Sequence, residues 1–197
     1  MQPSRRLAVP LVTLLLALAA PRLSAQASTP AAPAPAATAA APADTAATAR
    51  MRDRLFGFLS GSWNCEGAFA NGTPIASDVT FSREMGGVWL QQRHQDRPPH
   101  RYAAVSMWGV HVPSGRLAAT IFDVGGGTRR FTADAWSDTS VVLLGETRPA
   151  APDRRERFAY RVASPDSFRL SYEVTRDAGA TWTLGDALVC TRRPASR

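Results

Sequence analysis

The chain has 197 residues, of which 45% are hydrophobic and 20% charged, and carries a formal net charge of +7. That length excludes a large multidomain enzyme and a long repeat array. Three of the positive charges, Arg5, Arg6 and Arg22, fall within the first 25 residues and leave +4 for the rest, so the charge does not argue for a nucleic-acid or anionic-membrane partner.

Residues 1–25 read as a secretory signal. Arg5 and Arg6 form a charged start, an apolar run extends from Leu7 to Ala20, and Leu23-Ser24-Ala25 ends on the small residues that precede cleavage. The run is too short, and too interrupted by Pro10 and Pro21, for a comfortable membrane span. The mature protein is therefore expected to be exported, periplasmic or secreted, without an integral membrane segment. Residues 26–49 are dominated by Ala, Pro, Thr and Ser. Such a composition buries too little apolar surface to offset chain entropy, and it predicts a disordered linker.

The folded domain is expected over residues 50–197. Met51, Leu55, Phe58 and Leu59 recur at helical spacing and Gly61 follows as a stop, which predicts a short amphipathic helix over residues 50–59 covering one end of the domain. From Ser62 onward the pattern changes to short apolar-aromatic runs separated by turn signals. The turn signals are Asn71–Pro74, Gly86-Gly87, Asp96–Pro99, Pro113–Gly115, Gly125–Gly127, Ser137–Thr139, Pro149–Asp153, Ser164–Asp166 and Asp177–Gly179. Nine turns imply ten strands joined by short connections, an antiparallel meander rather than βαβ units. Period two is clearest where Phe168, Leu170, Tyr172 and Val174 alternate with polar residues. Trp182, Leu184 and Leu188 repeat it in the last strand, with Asp186 as the exception. A meander of this size leaves two open edges unless it closes. The predicted fold is therefore all-β, a closed antiparallel up-and-down barrel of about ten strands with a short N-terminal helix.

Cys65 lies in the first predicted strand and Cys190 in the last. In an oxidising compartment two cysteines favour a disulfide, and in a closed barrel with an even strand count those strands are antiparallel neighbours. Pairing Cys65 with Cys190 places Trp63 opposite Arg192, where a guanidinium stacks well on an indole.

Leu59-Ser60-Gly61-Ser62-Trp63, preceded by a helix and combined with Arg192 in the closing strand, resembles the lipocalin and fatty-acid-binding superfamily. It is closer to exported bacterial proteins with a lipocalin-like domain of unknown function, which share Leu-x-Gly-x-Trp and a Gly-rich first strand such as Trp63-Asn64-Cys65-Glu66-Gly67. The nitrobindin-like haem barrels look like relatives. The superfamily resemblance implies a barrel that binds a small molecule, with Trp63 and Arg192 as structural residues. The nitrobindin likeness implies a haem-ligating His near the C-terminus, but no His follows His111, and no cofactor is expected. His94, His100 and His111 read as non-ligating, the last two as turn residues facing solvent.

No nucleophile elbow, phosphate-binding loop or zinc-helix motif is present. Gly125–Gly127 reads as a hairpin turn, Asp123 and Asp134 as carboxylates near its strand ends, and Arg154, Arg155 and Arg157 as a charged edge. A barrel of ten strands is too wide to be filled by small side chains. The alanines at 103, 104, 118 and 119, set among five tryptophans on five strands, suit an apolar cavity. Trp89, Trp108 and Tyr172 are the candidate ligand-binding residues, Trp89 and Trp108 lining one wall. The expected function is non-enzymatic binding of a small, mostly apolar or amphipathic molecule. A structural or interaction module without ligand, or an isomerase or hydrolase in the same cavity, are the alternatives.

Overall fold

The computed structural model describes residues 45–133 and 135–194. The expected signal sequence, the expected linker up to Asp44, Asp134 and residues 195–197 lie outside the described residues. Helix α1 spans Thr45–Leu59. Ten strands follow: β1 Gly61–Phe69, β2 Pro74–Glu84, β3 Trp89–Asp96, β4 Ala103–His111, β5 Arg116–Asp123, β6 Thr128–Ala133, β7 Ser140–Gly145, β8 Arg155–Ser164, β9 Ser167–Thr175 and β10 Thr183–Arg192. Each strand pairs antiparallel with its chain neighbour, and β10 pairs with β1 to close the barrel. All nine expected turns fall between consecutive strands. Of the five tryptophans, however, Trp136 and Trp182 lie just outside the named strands rather than on them.

The closing seam has the predicted register. Cys65 pairs with Cys190 and Trp63 with Arg192, and the two cysteines are joined by a disulfide. The bridge closes a loop separated by 125 residues in sequence. By the chain-entropy model this constrains the unfolded chain by about 4–5 kcal/mol.

Helix α1 begins five residues earlier than the sequence pattern indicated, and Thr48 of that extra turn is buried. Its inner face is Leu55, Phe56 and Leu59, all essentially inaccessible, while Phe58 only packs against the edge of the core. The pattern chose Phe58 and missed Phe56. Both fit a helical stripe, and which one goes inside depends on how the helix sits across the barrel end. The helix stops where Ser60 turns back on Phe56, its N–H and its hydroxyl both donating to that carbonyl, at 3.0 and 2.6 Å.

Arg192 does more at this end than stack. Its guanidinium carbon lies 4.1 Å from the centre of the Trp63 ring. Its Nη1 donates to the Ser60 carbonyl at 2.8 Å and its Nη2 to the Phe58 carbonyl at 2.7 Å. A cation on the exposed carbonyls of a helix C-terminus satisfies them and complements the helix dipole. Trp63 Nε1 donates to the Leu59 carbonyl at 2.7 Å. Gly61 adopts a φ of +117°, and a side chain there would press on Arg192.

Above this junction the interior is a solid aromatic layer. Trp63, Phe81, Trp108, Tyr160 and Phe168 meet largely edge-to-face, with Trp63–Phe168 at 4.8 Å and Trp108–Tyr160 at 4.9 Å between ring centroids. Its polar tips are satisfied internally. Trp108 Nε1 donates to Ser106 Oγ at 2.8 Å, and the Ser106 hydroxyl donates to Gln92 Oε1 at 3.0 Å. The Tyr160 hydroxyl also points at Gln92 Oε1, 3.4 Å away.

Candidate ligand-binding site

At the end of the barrel opposite α1 the aromatic filling stops and a cavity of about 470 Å³ opens. Its walls are mostly apolar, formed by Phe69, Ile75, Phe158, Leu170 and Leu188. His94, Asp96, Arg129, Tyr172 and Asp186 supply polar groups within it, and His100, Arg101 and Tyr102 from the β3–β4 connection stand at its mouth. An apolar hollow with a few convergent polar groups is the usual form of a small-molecule site.

The polar groups fall into two clusters and one single residue. In the first cluster, Asp96 Oδ1 accepts hydrogen bonds from Ser77 Oγ at 2.6 Å and from His94 Nε2 at 2.8 Å. Burial alone would raise the Asp96 pKa, but these bonds and the neighbouring His94 outweigh it and hold the carboxyl below its ordinary value. In the second, Arg129 projects inward from β6. Its Nη1 donates to Glu156 Oε2 at 2.9 Å and its Nη2 to the Tyr102 hydroxyl at 2.7 Å. Its Nε lies 3.7 Å from Asp123 Oδ2 and is the one buried side-chain nitrogen or oxygen among the described residues without a hydrogen-bond partner. Arg148 reaches Glu156 from the other side at 3.3 Å.

The single residue is Asp186. Its carboxyl makes no hydrogen bond or ion pair among the described residues, and burial pushes its pKa up to about 6, helped by Asp96 and opposed by His94. Burial likewise raises the Tyr172 phenol.

Of the three ligand-binding residues expected from sequence, Tyr172 lines the cavity. Its ring packs 5.0 Å from that of Phe158. Trp108 is inside the barrel but belongs to the aromatic layer, 1% exposed and absent from the cavity lining. Trp89 is on the outer surface, 40% exposed, with its ring laid over Gly109, where a Cβ would come within 2.6 Å of it. The shared wall expected of the two tryptophans is thus corrected. In the β3–β4 register Trp108 pairs with Leu90 and Trp89 with Gly109, and adjacent pairs point to opposite faces of a sheet. Ala119 is buried inside the barrel and Ala118 is exposed.

The other expectations divide as well. His111 is exposed and bonded to Ser114 at 2.8 Å. His100, expected to face solvent, instead contributes to the cavity mouth, with its ring edge-on to Phe69 and its Nε2 donating to the Pro74 carbonyl at 3.0 Å. Asp123 anchors its own turn, accepting from the N–H groups of Gly125 and Gly127 at 3.0 and 3.1 Å. The three arginines after Asp153 part ways: Arg154 and Arg155 border a shallow hollow between β6 and β8, whereas Arg157 lies 4.2 Å over the Trp182 ring and pairs with Glu173. No group of three or more His, Cys, Asp or Glu able to hold a metal ion occurs among the described residues.

Sequence reasoning missed His94, Asp96, Arg129 and Asp186 as cavity residues. Arg129 carried a usable signal, since it stands two residues before the buried Phe131 and therefore shares its face. Asp186 carried the same signal, standing two residues before the buried Leu188 and four before Cys190, and the unseen bulge at Gly185 hid only that Leu184 leaves that face.

No protein-family model and no curated protein matches the chain. Among solved structures, Rv2717c from M. tuberculosis is similar with a TM-score of 0.50 and 17% identity, covering 73% of this chain and 98% of its own. A de novo designed fluorescence-activating β-barrel has a TM-score of 0.41 and 11% identity, covering 71% of this chain and 98% of its own. What the first likeness shows, at that identity, is the barrel fold.

Proposed function

We propose that the protein is an exported, lipocalin-like binding protein that holds a small, mostly apolar molecule in the open half of the barrel, without chemical conversion. One observation carries this reading. A half-filled barrel keeps Ile75, Phe158, Leu170 and Leu188 around a cavity of about 470 Å³ instead of packing them against one another. A protein selected only for stability gains by filling such space, because an apolar void forfeits both transfer and dispersion energy. The export half of the proposal rests on the disulfide and on the leader pattern of residues 1–25.

The test is calorimetric titration of the purified protein with a neutral apolar probe, N-phenylnaphthylamine, beside the variant Leu170→Trp, which fills the cavity from β9. Binding to the wild type at micromolar affinity and its loss in the variant, with the melting temperature kept, is the expected result. Equal heats from both proteins would place the probe elsewhere and remove the reading.

A further inference from the structure

Three of the four carboxyls facing the cavity region are already engaged within the protein. Asp96 is held by Ser77 and His94. Glu156 is held by Arg129 and Arg148, and Asp123 by its own turn. Asp186 stands apart, with no hydrogen bond or ion pair among the described residues and with its charged form disfavoured by burial.

Ordinary alternation puts it there, since Cys190, Leu188 and Asp186 follow one another on the inward face of β10 in unbroken register, and a bulge lies just before it. The register of β10 against β9 slips between Leu184 and Asp186: Leu184 pairs with Glu173, and Asp186 pairs with Tyr172. Gly185 is the extra residue of this β-bulge. In an unbulged strand Leu184 and Asp186 would share a face. With the bulge, Leu184 is turned outward, 42% exposed, while Asp186 keeps the inward face it shares with Leu188 and Cys190. Gly185 is also the only residue type the bulge accepts, because the Tyr172 ring covers it and a Cβ would lie 2.6 Å from Tyr172 Cδ1. Bulges re-aim side chains in this way next to binding and active sites. On its other side Asp186 pairs with Phe69 of β1. Beside the bulge, an acid on the inward face of β10 therefore stands against the apolar cavity wall, where it lowers stability and has no partner among the described residues.

We propose that Asp186 is the polar anchor of the cavity and that its ligand is an apolar molecule ending in a protonated amine. The inference rests on the ligand-carrier reading and specifies which end of the ligand is recognised. A cationic head supplies the charge-assisted hydrogen bond that the carboxyl lacks. The donors of His94 and Arg129 are committed elsewhere, His94 Nε2 to Asp96 and both Arg129 Nη atoms to Glu156 and Tyr102, while Arg101 stands at the cavity mouth. A carboxylate head at this position would meet Asp186 and the ionised Asp96 together. A neutral alcohol would gain a hydrogen bond but no charge pairing.

Three probes with one naphthyl body separate these possibilities: naphthylethylamine, naphthylethanol and naphthylpropanoate, titrated calorimetrically into the full mature protein at neutral pH. The expected order of affinity is amine, then alcohol, then carboxylate, with the amine ahead of the alcohol by about tenfold or more. Asp186→Asn, which keeps the shape, should bring the amine down to the alcohol and leave the alcohol unchanged. Asp186→Ser repeats the comparison if the amide folds poorly. If the three probes bind the wild type equally, the cavity reading stands and the anchor is wrong. A preference for the carboxylate also overturns the anchor and moves the head group toward Arg101 and Arg129. Failure of all three probes removes both readings together.

Discussion

The two ends of this barrel are built from the same ten strands and differ in nearly everything else. Following the inward face of β6 from the helix end to the open end, Phe131 gives way to Arg129; on β8, Tyr160 gives way to Glu156; on β10, Cys190 gives way to Asp186. The aromatic half satisfies its polar atoms internally, through Trp63 on Leu59, Arg192 on the helix carbonyls, and the Trp108–Ser106–Gln92 chain. The open half leaves an unmet carboxyl facing the cavity. Stability is concentrated where packing is dense, and recognition is placed where it is not. Changes at the two ends should therefore separate cleanly into effects on folding and effects on binding.

The largest expected effect is at the packed end. Trp63→Ala removes a fully buried indole that touches Phe58 and Phe168, holds the helix end through Leu59, and supports Arg192. A loss of about 3–5 kcal/mol in urea unfolding is expected. Trp108→Ala should lose a comparable amount, because its ring is packed between Phe81 and Tyr160. A Trp108 variant that kept its stability but lost probe binding would break the division between the two ends.

The seam comes next. Replacing Cys65 and Cys190 together by Ala should cost about 2–5 kcal/mol, read as a lower urea midpoint that no longer responds to reductant. Probe affinity should hold wherever the variant remains folded, since the bridge is on the helix side of the cavity and absent from its lining.

Much of this fold was legible in the sequence because barrels are specified by repeated, local signals. Turn chemistry located all nine connections, and the two cysteines located the seam. Once 65 was paired with 190, the Trp63–Arg192 stack followed from counting alone. The site was harder to read for three physical reasons. Side-chain face is a matter of parity, so Trp89 and Trp108, both aromatic and both in adjacent strands, look alike until the register sends one outward. The bulge at Gly185 reverses the face of Leu184, so a pattern that groups Leu184 with Leu188 makes Asp186 look like an exception when it shares the inward face of Leu188 and Cys190, and one glycine in a strand does not announce a bulge. Finally, the charged groups of the cavity come from β3, β6, β8 and β10, so no sequence window contains two of these strands' contributions.

The smallest effect tests the open end through stability alone. In the folded protein Asp186 is pushed up to about 6 from its ordinary 3.8, burial being the main cause, with Asp96 adding to it and His94 opposing. Folding therefore takes up a proton between those two values. The native state binds more protons than the unfolded state in that window, so stability falls as pH rises through it and stays lower above. Over the full shift this would amount to roughly 3 kcal/mol, and water at the cavity mouth screens it to about 1–2 kcal/mol. Asp186→Asn has no proton to exchange, so the variant should be more stable than the wild type at neutral pH by about 1–2 kcal/mol and should lose that advantage near pH 4. Asp96 acts in the opposite sense, since its depressed pKa contributes stability that is lost as pH falls through the folded value. It is present in both proteins, and the difference between their urea midpoints across pH isolates Asp186. Parallel curves for the two would mean that the carboxyl is solvated or partnered after all, and the contrast between a satisfied end and an unsatisfied one would be lost.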